Sequence, residues 1–82
     1  MTDTEHLRPL TIGEAIAVLR KRCGLSQAQL AEKAGVSRNE VSLLECDKTD
    51  YRLGTLRAVG AALGMRLEVN LITRDGKEAK QQ

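Results

Sequence analysis

Apolar positions recur at helical spacing in four short blocks, and then the period changes. Between Thr11 and Cys23, the residues Ile12, Ile16, Leu19 and Cys23 share one face, with Ala15 beside them. That is the spacing of an amphipathic helix. Thr11 and Glu14 form a Thr-x-x-Glu capping box at its start, and Gly24 stops it. The second block opens with a Ser26-x-x-Gln29 box, turns Leu30 and Ala34 inward and ends at Gly35. The third opens at Ser37, with Glu40 three residues on, and runs to about Glu45; its inward residues are Val36, Val41 and Leu44. A charged stretch, Cys46 to Arg52, is too polar for a core. The fourth block, from near Thr55 to Gly64, carries Leu56, Val59 and Leu63, with Leu53 packed beneath its start. Gly60 in its middle costs about 1 kcal/mol relative to Ala, so close packing is expected there.

From Met65 the apolar residues alternate. Met65, Leu67, Val69 and Leu71 interleave with Arg66, Glu68, Asn70 and Ile72, the period of a strand with one apolar face. An Asp75–Gly76 turn signal follows. A lone strand leaves its N–H and C=O groups unpaired and requires a partner. The expected partner is a second copy, in a twofold ribbon that buries Leu67, Val69 and Leu71. The chain's own segment around Leu10, or a different protein, are the alternatives.

The remaining composition narrows the function. The chain has 82 residues, one small domain, with 13 Lys plus Arg against 11 Asp plus Glu and a net charge of +2. A chain this short hides only about 60% of its unfolded surface, so regular packing or a second chain must complete it. No apolar stretch approaches the roughly 20 residues of a membrane helix, and residues Met1 to Pro9 lack the apolar run of a signal peptide. Cys23 and Cys46 form neither a CxxC pair nor a disulfide framework, which points to a reducing, cytoplasmic setting. Cys23 reads as core filler and Cys46 as exposed. Tyr51 is the sole aromatic residue, which excludes a stacking platform for single strands. No metal-ligand spacing and no nucleophile–base pair is present, so no cofactor, metal or catalytic activity is expected.

The informative stretch is Leu25 to Glu45: two short capped helices joined by a turn containing Gly35. This is the helix-turn-helix layout, in which the second helix projects into a DNA major groove. With Val41 and Leu44 inward, Arg38, Asn39, Ser42 and Leu43 turn outward. Arg pairs with guanine, Asn with adenine, Ser with either, and an apolar side chain with the thymine methyl. Gln27, in the first turn of the preceding helix, points the same way. Backbone N–H groups at Ser26–Gln27 and Ser37–Arg38 can hold phosphates. Lys48 and Arg52 add positive charge, whereas Glu40 and Asp47 lie near the proposed face and repel phosphate unless turned away.

The run LRKRCGLSQAQLAEKAGVSRNEVSLLE resembles the lambda-repressor-like (Xre/Cro type) helix-turn-helix family, and the likeness extends from about Ile12 to Leu63. The resemblance implies a transcriptional regulator, usually a repressor, in which Gln27, Ser37, Arg38, Asn39, Ser42 and Leu43 serve the DNA face. It further implies a structural ion pair between Arg20 and Glu45. Three departures stand out. Cys46 and Asp47 follow the glutamate where the family often has a Gly two residues on, Leu43 occupies a position that is often basic or polar, and a strand replaces the family's fifth helix. The last feature is similar to small antitoxin-type regulators.

The expected fold is therefore mainly α: a four-helix helix-turn-helix domain followed by one C-terminal β-strand pairing across a dimer. Residues 1–10 are read as a flexible arm, 11–64 as the DNA-binding domain, 65–73 as the dimerisation strand and 74–82 as a flexible tail. The expected partners are double-stranded DNA carrying a near-palindromic operator, a second copy, and by resemblance a toxin; no membrane is involved. The competing reading is a protein-interaction adaptor built on the same scaffold.

Overall fold

A computed structural model describes residues 9–73. It contains helices α1 (Ile12–Arg22), α2 (Gln27–Ala34), α3 (Arg38–Glu45) and α4 (Leu53–Ala62). The first three begin with complete capping boxes. Thr11, Ser26 and Ser37 accept from the backbone N–H of Glu14, Gln29 and Glu40, whose side chains reach back to the cap N–H groups. Each box satisfies two of the donors a helix start leaves unpaired. α4 has no side-chain cap and starts at Leu53, two residues earlier than the pattern predicts. Leu53 consequently sits on the first turn, 48% exposed, rather than beneath the helix.

All four helices close by one device. A residue with positive φ follows the last turn, and the next N–H reaches back five residues: Leu25 to Arg20, Val36 to Ala31, Lys48 to Leu43 and Met65 to Gly60. This is the Schellman closure, which normally places Gly at the left-handed position. Gly24, Gly35 and Gly64 supply it at three sites, and Asp47, at φ 56, supplies it at the fourth. Asp is one of the few side chains that visits this region routinely.

α3 packs on both α1 and α2, and α2 packs on α4. Leu30, Val41 and Val59 are fully buried at the centre, surrounded by Ile16, Ala31, Leu44, Leu56, Ala62 and Leu63. Leu19, Leu25, Ala34, Val36, Tyr51 and Leu67 pack around this cluster. Cys23, expected in the core, is exposed; it caps α1 where the chain turns off the apolar stripe. Cys46 is exposed too.

The crowded glycine is Gly13, not Gly60. A Cβ on Gly60 would lie 3.5 Å from the Met65 carbonyl, an ordinary contact. One on Gly13 would lie 2.2 Å from the Leu44 carbonyl and 2.8 Å from that of Glu45. The start of α1 therefore presses directly onto the end of α3.

Residues 65–71 belong to no regular element, and the β-type pairing among the described residues is one isolated bridge position at Ile72. A ladder needs a second strand, and the described residues contain none. Leu67 is half-buried, whereas Val69, Leu71 and Ile72 are 60%, 75% and 65% exposed. The expected arm 1–8, the Asp75–Gly76 turn and the tail 74–82 lie outside the described residues.

Gly13→Ala is expected to destabilise the fold by about 3 kcal/mol, because backbone rather than a movable side chain fills the space. Gly54→Ala, whose Cβ would meet nothing within 4 Å, should be neutral or stabilising by up to about 1 kcal/mol. Urea midpoints of the two variants check this pair; equal midpoints would contradict the packing described.

Candidate nucleic-acid interface

Gln27, Arg38, Asn39 and Ser42 line one shallow concavity where the first turn of α2 meets α3. Arg38 and Asn39 are exposed, and Gln27 and Ser42 are half-buried. Among the described residues, the side chains of Arg38, Asn39 and Ser42 have no hydrogen-bond partner within the chain. Four of the residues singled out from sequence thus share one surface with free polar groups. Leu43 does not join them. It is half-buried and lines a different hollow with Glu40, Thr49, Asp50, Arg52 and Thr55, between α3 and the start of α4. Lys48 is exposed just past α3.

Ser37 begins α3 and is exposed, but its cap is already in use. Its Oγ accepts from Glu40 N–H at 3.0 Å, and its own N–H donates to Glu40 Oε1 at 3.2 Å. Ser26 N–H is likewise committed to Gln29 Oε1 at 2.8 Å. The N–H groups of Ser26 and Ser37, expected to be free for phosphate, are therefore occupied; the next ones, on Gln27 and Arg38, are the candidates. The Glu40 carboxylate is held at its own helix start, where the helix dipole favours it.

Asp47 is also committed to a helix start. Its carboxylate accepts from Thr11 Oγ1 at 2.6 Å, from Gly13 N–H at 2.9 Å and from the Tyr51 hydroxyl. Hydrogen bonds from Thr11 and Tyr51, joined by Gly13, hold this carboxyl below its usual range. In return, the hydrogen bond to Asp47 pushes the Tyr51 phenol up to about 12. From sequence, Asp47 reads as a charge near the proposed face and as an acid where the resembled family often has Gly. Its role as a tether between α1 and the segment after α3 depends on a contact 34 to 36 residues away in sequence, which no local signal announces.

Behind the concavity, Arg20 and Glu45 are paired. Arg20 Nε donates to Glu45 Oε2 at 2.6 Å and Nη2 to Oε1 at 3.1 Å, while Nη1 donates to the Leu25 carbonyl at 2.8 Å. Gln27 Nε2 donates to Glu45 Oε1 at 3.1 Å. The Arg20 and Glu45 side chains are only 12% and 7% exposed.

Two capped helices joined through Gly35, with polar side chains gathered at their junction, define a helix-turn-helix module. A helix-turn-helix family model matches residues 16–70, and the chain belongs to the lambda-repressor-like (Xre) branch of that family. The immunity repressor of Bacillus phage phi105 is 43% identical over 58 residues, 71% of this chain and 40% of that protein. Antitoxin HigA1 of Mycobacterium tuberculosis is 38% identical over 71 residues, 87% of this chain and 46% of that protein. The chain thus spans less than half the length of either relative. Among solved structures, the biofilm regulator SinR in complex with DNA aligns with a TM-score of 0.64 and 38% identity, over 67% of this chain and 89% of that one. The P22 c2 repressor in complex with a synthetic operator aligns with a TM-score of 0.65 and 32% identity, over 70% of this chain and 86% of that one.

The Asp47–Tyr51 contact has a measurable consequence. A phenol whose pKa is raised by folding stabilises the fold fully below pH about 10, and this contribution is lost as pH rises through about 12. Since Tyr51 is the sole tyrosine and there is no Trp, its near-ultraviolet absorbance reports the titration without overlap. The expected midpoint is about 12 in the folded protein, moving back toward 10 in Asp47→Asn. A midpoint that ignores this substitution would contradict the contact.

Proposed function

We propose that the chain is a sequence-specific, double-stranded-DNA-binding transcriptional repressor. The observation that carries this reading is the concavity formed by Gln27, Arg38, Asn39 and Ser42, with the neighbouring anions Glu40 and Asp47 tied to helix starts. Arg38 offers a two-pronged donor suited to guanine, and Asn39 the donor–acceptor pair suited to adenine. Lys48 and Arg52 flank the face as phosphate contacts. The DNA complexes of SinR and of the P22 c2 repressor support the same use of this fold. Residues 11–64 are the DNA-binding unit in this reading.

The active form is a homodimer on a near-palindromic operator. Support comes from a nearly wholly apolar groove between α1 and α4, lined by Ile12, Ile16, Leu56, Leu63 and Leu67. Past Leu67, Val69 and Leu71 are exposed. A strand at 65–73 paired with its copy would cover this face and bring two recognition helices about 34 Å apart, one turn of duplex. The similarity to antitoxin HigA1 supports a narrower form of the proposal, an antitoxin that represses its own operon beside a toxin. A reducing, cytoplasmic setting fits a DNA-binding regulator with two free cysteines.

A specific binder should select one short palindrome and weaken steeply with salt. Arg38→Ala should cost about 1–3 kcal/mol and relax the preference at one base pair. Intact affinity and preference in both Arg38→Ala and Asn39→Ala would overturn the reading in favour of an adaptor. Truncation after Gly64 should give a monomer by light scattering; a dimer that survives it would remove the strand from the assembly.

A further inference from the structure

Two glutamines in the first turn of α2 use opposite ends of their amides. Gln29 Oε1 accepts from Ser26 N–H at 2.8 Å, whereas Gln27 Nε2 donates to Glu45 Oε1 at 3.1 Å. Gln27 has no choice, because an ionised carboxylate only accepts. Glu45 stays ionised: burial pushes its carboxyl up, but hydrogen bonds from Arg20 and Gln27 outweigh this and hold it below its usual range. It cannot swing aside either, since two Arg20 nitrogens grip its oxygens and Arg20 is itself anchored to the Leu25 carbonyl. With so little of either side chain exposed, water does not compete for these bonds.

We propose that Glu45 is a positioning residue for base readout: by holding the Gln27 amide nitrogen, it commits Gln27 to present its carbonyl oxygen and its second N–H to DNA, the complement of adenine's N6–N7 edge. This rests on the DNA reading above. In the major groove only the exocyclic amino groups of adenine and cytosine donate, and adenine alone sets an acceptor, N7, beside that donor. Guanine shows two acceptors there, which meet an amide oxygen unfavourably. A free glutamine could rotate its amide to suit either purine, but the held one cannot. Glu45 thus contributes to discrimination without touching a base. Glu45→Gln replaces an acceptor-only group by one that also donates, and so releases the Gln27 amide.

The test compares duplexes selected from a randomised library by the wild type, Gln27→Ala, Glu45→Gln and Arg20→Lys. Glu45→Gln is expected to relax, by about tenfold, the same base pair that Gln27→Ala relaxes. Arg20→Lys weakens the ion pair but leaves a carboxylate against Gln27; it should lower stability and keep the preference. Unchanged preference in Glu45→Gln, or equal relaxation in both variants, overturns the proposal. A second readout needs no variant that must fold. In the free wild-type protein, nuclear magnetic resonance should find one Gln27 amide proton shifted and protected from exchange, unlike those of Gln29. Specific duplex binding with a free Gln27 amide overturns this proposal alone. A held amide in a chain that selects no duplex overturns the DNA reading, and the proposal with it.

Discussion

The Arg20–Glu45 pair is the point where three helices and one turn meet. One guanidinium joins α1 to the last turn of α3 and to the Leu25 carbonyl, and the same carboxylate takes the Gln27 amide of α2. Buried ion pairs contribute little net stability, because desolvation offsets attraction; losing one partner, however, strands the other and costs on the order of 3–5 kcal/mol. The pair therefore acts mainly as a register pin. It fixes how far α3 slides along α1 and α2, and so where Arg38 and Asn39 stand relative to Gln27. The short hydrophobic core of Leu, Ile, Val and Ala side chains could tolerate small shifts; a bidentate, nearly buried contact does not.

A second pin sits at the other end of α1. Asp47 takes up the left-handed position after α3, and its carboxylate caps the start of α1 through Thr11 and Gly13. A glycine there would give the same backbone turn and none of these bonds. A left-handed Asp costs on the order of 1–2 kcal/mol, which three hydrogen bonds to a carboxylate can offset. The same bonds commit the carboxylate to the start of α1 and to Tyr51. Gly13 belongs to this junction, since its N–H is one of the donors and its missing side chain is what allows the approach.

Much of this was legible in the sequence because it is local. A Ser or Thr followed three residues later by Glu or Gln specifies its own hydrogen bonds, and all three such boxes are present in the structure. The stripe of Val41, Leu44, Leu56 and Val59 similarly follows from spacing alone. What escaped was tertiary. Leu43 looked outward on a helical wheel, yet the Thr49–Thr55 segment folds beside it. Cys23 and Leu53 satisfied the period of their helices but fall at ends, where the stripe leaves the core. Gly13 passes unremarked in the sequence, and Asp47 stands out only as an acid near the proposed face where the family often has Gly, until two distant segments are brought together. The alternation from Met65 to Ile72 is a strand pattern awaiting a partner, and the described residues hold no second strand to complete a ladder.

The proposed DNA face is thus produced by pins that lie outside it. Caps fix where α2 and α3 begin, the ion pair fixes their offset, and the tether at Asp47 holds the end of α3 to the start of α1. Mapping amide chemical shifts while a selected operator duplex is added tests this most directly. The largest changes are expected at Gln27, Arg38, Asn39 and Ser42. Changes confined to the apolar groove of Ile12, Leu56 and Leu63, with α3 unmoved, would contradict the account.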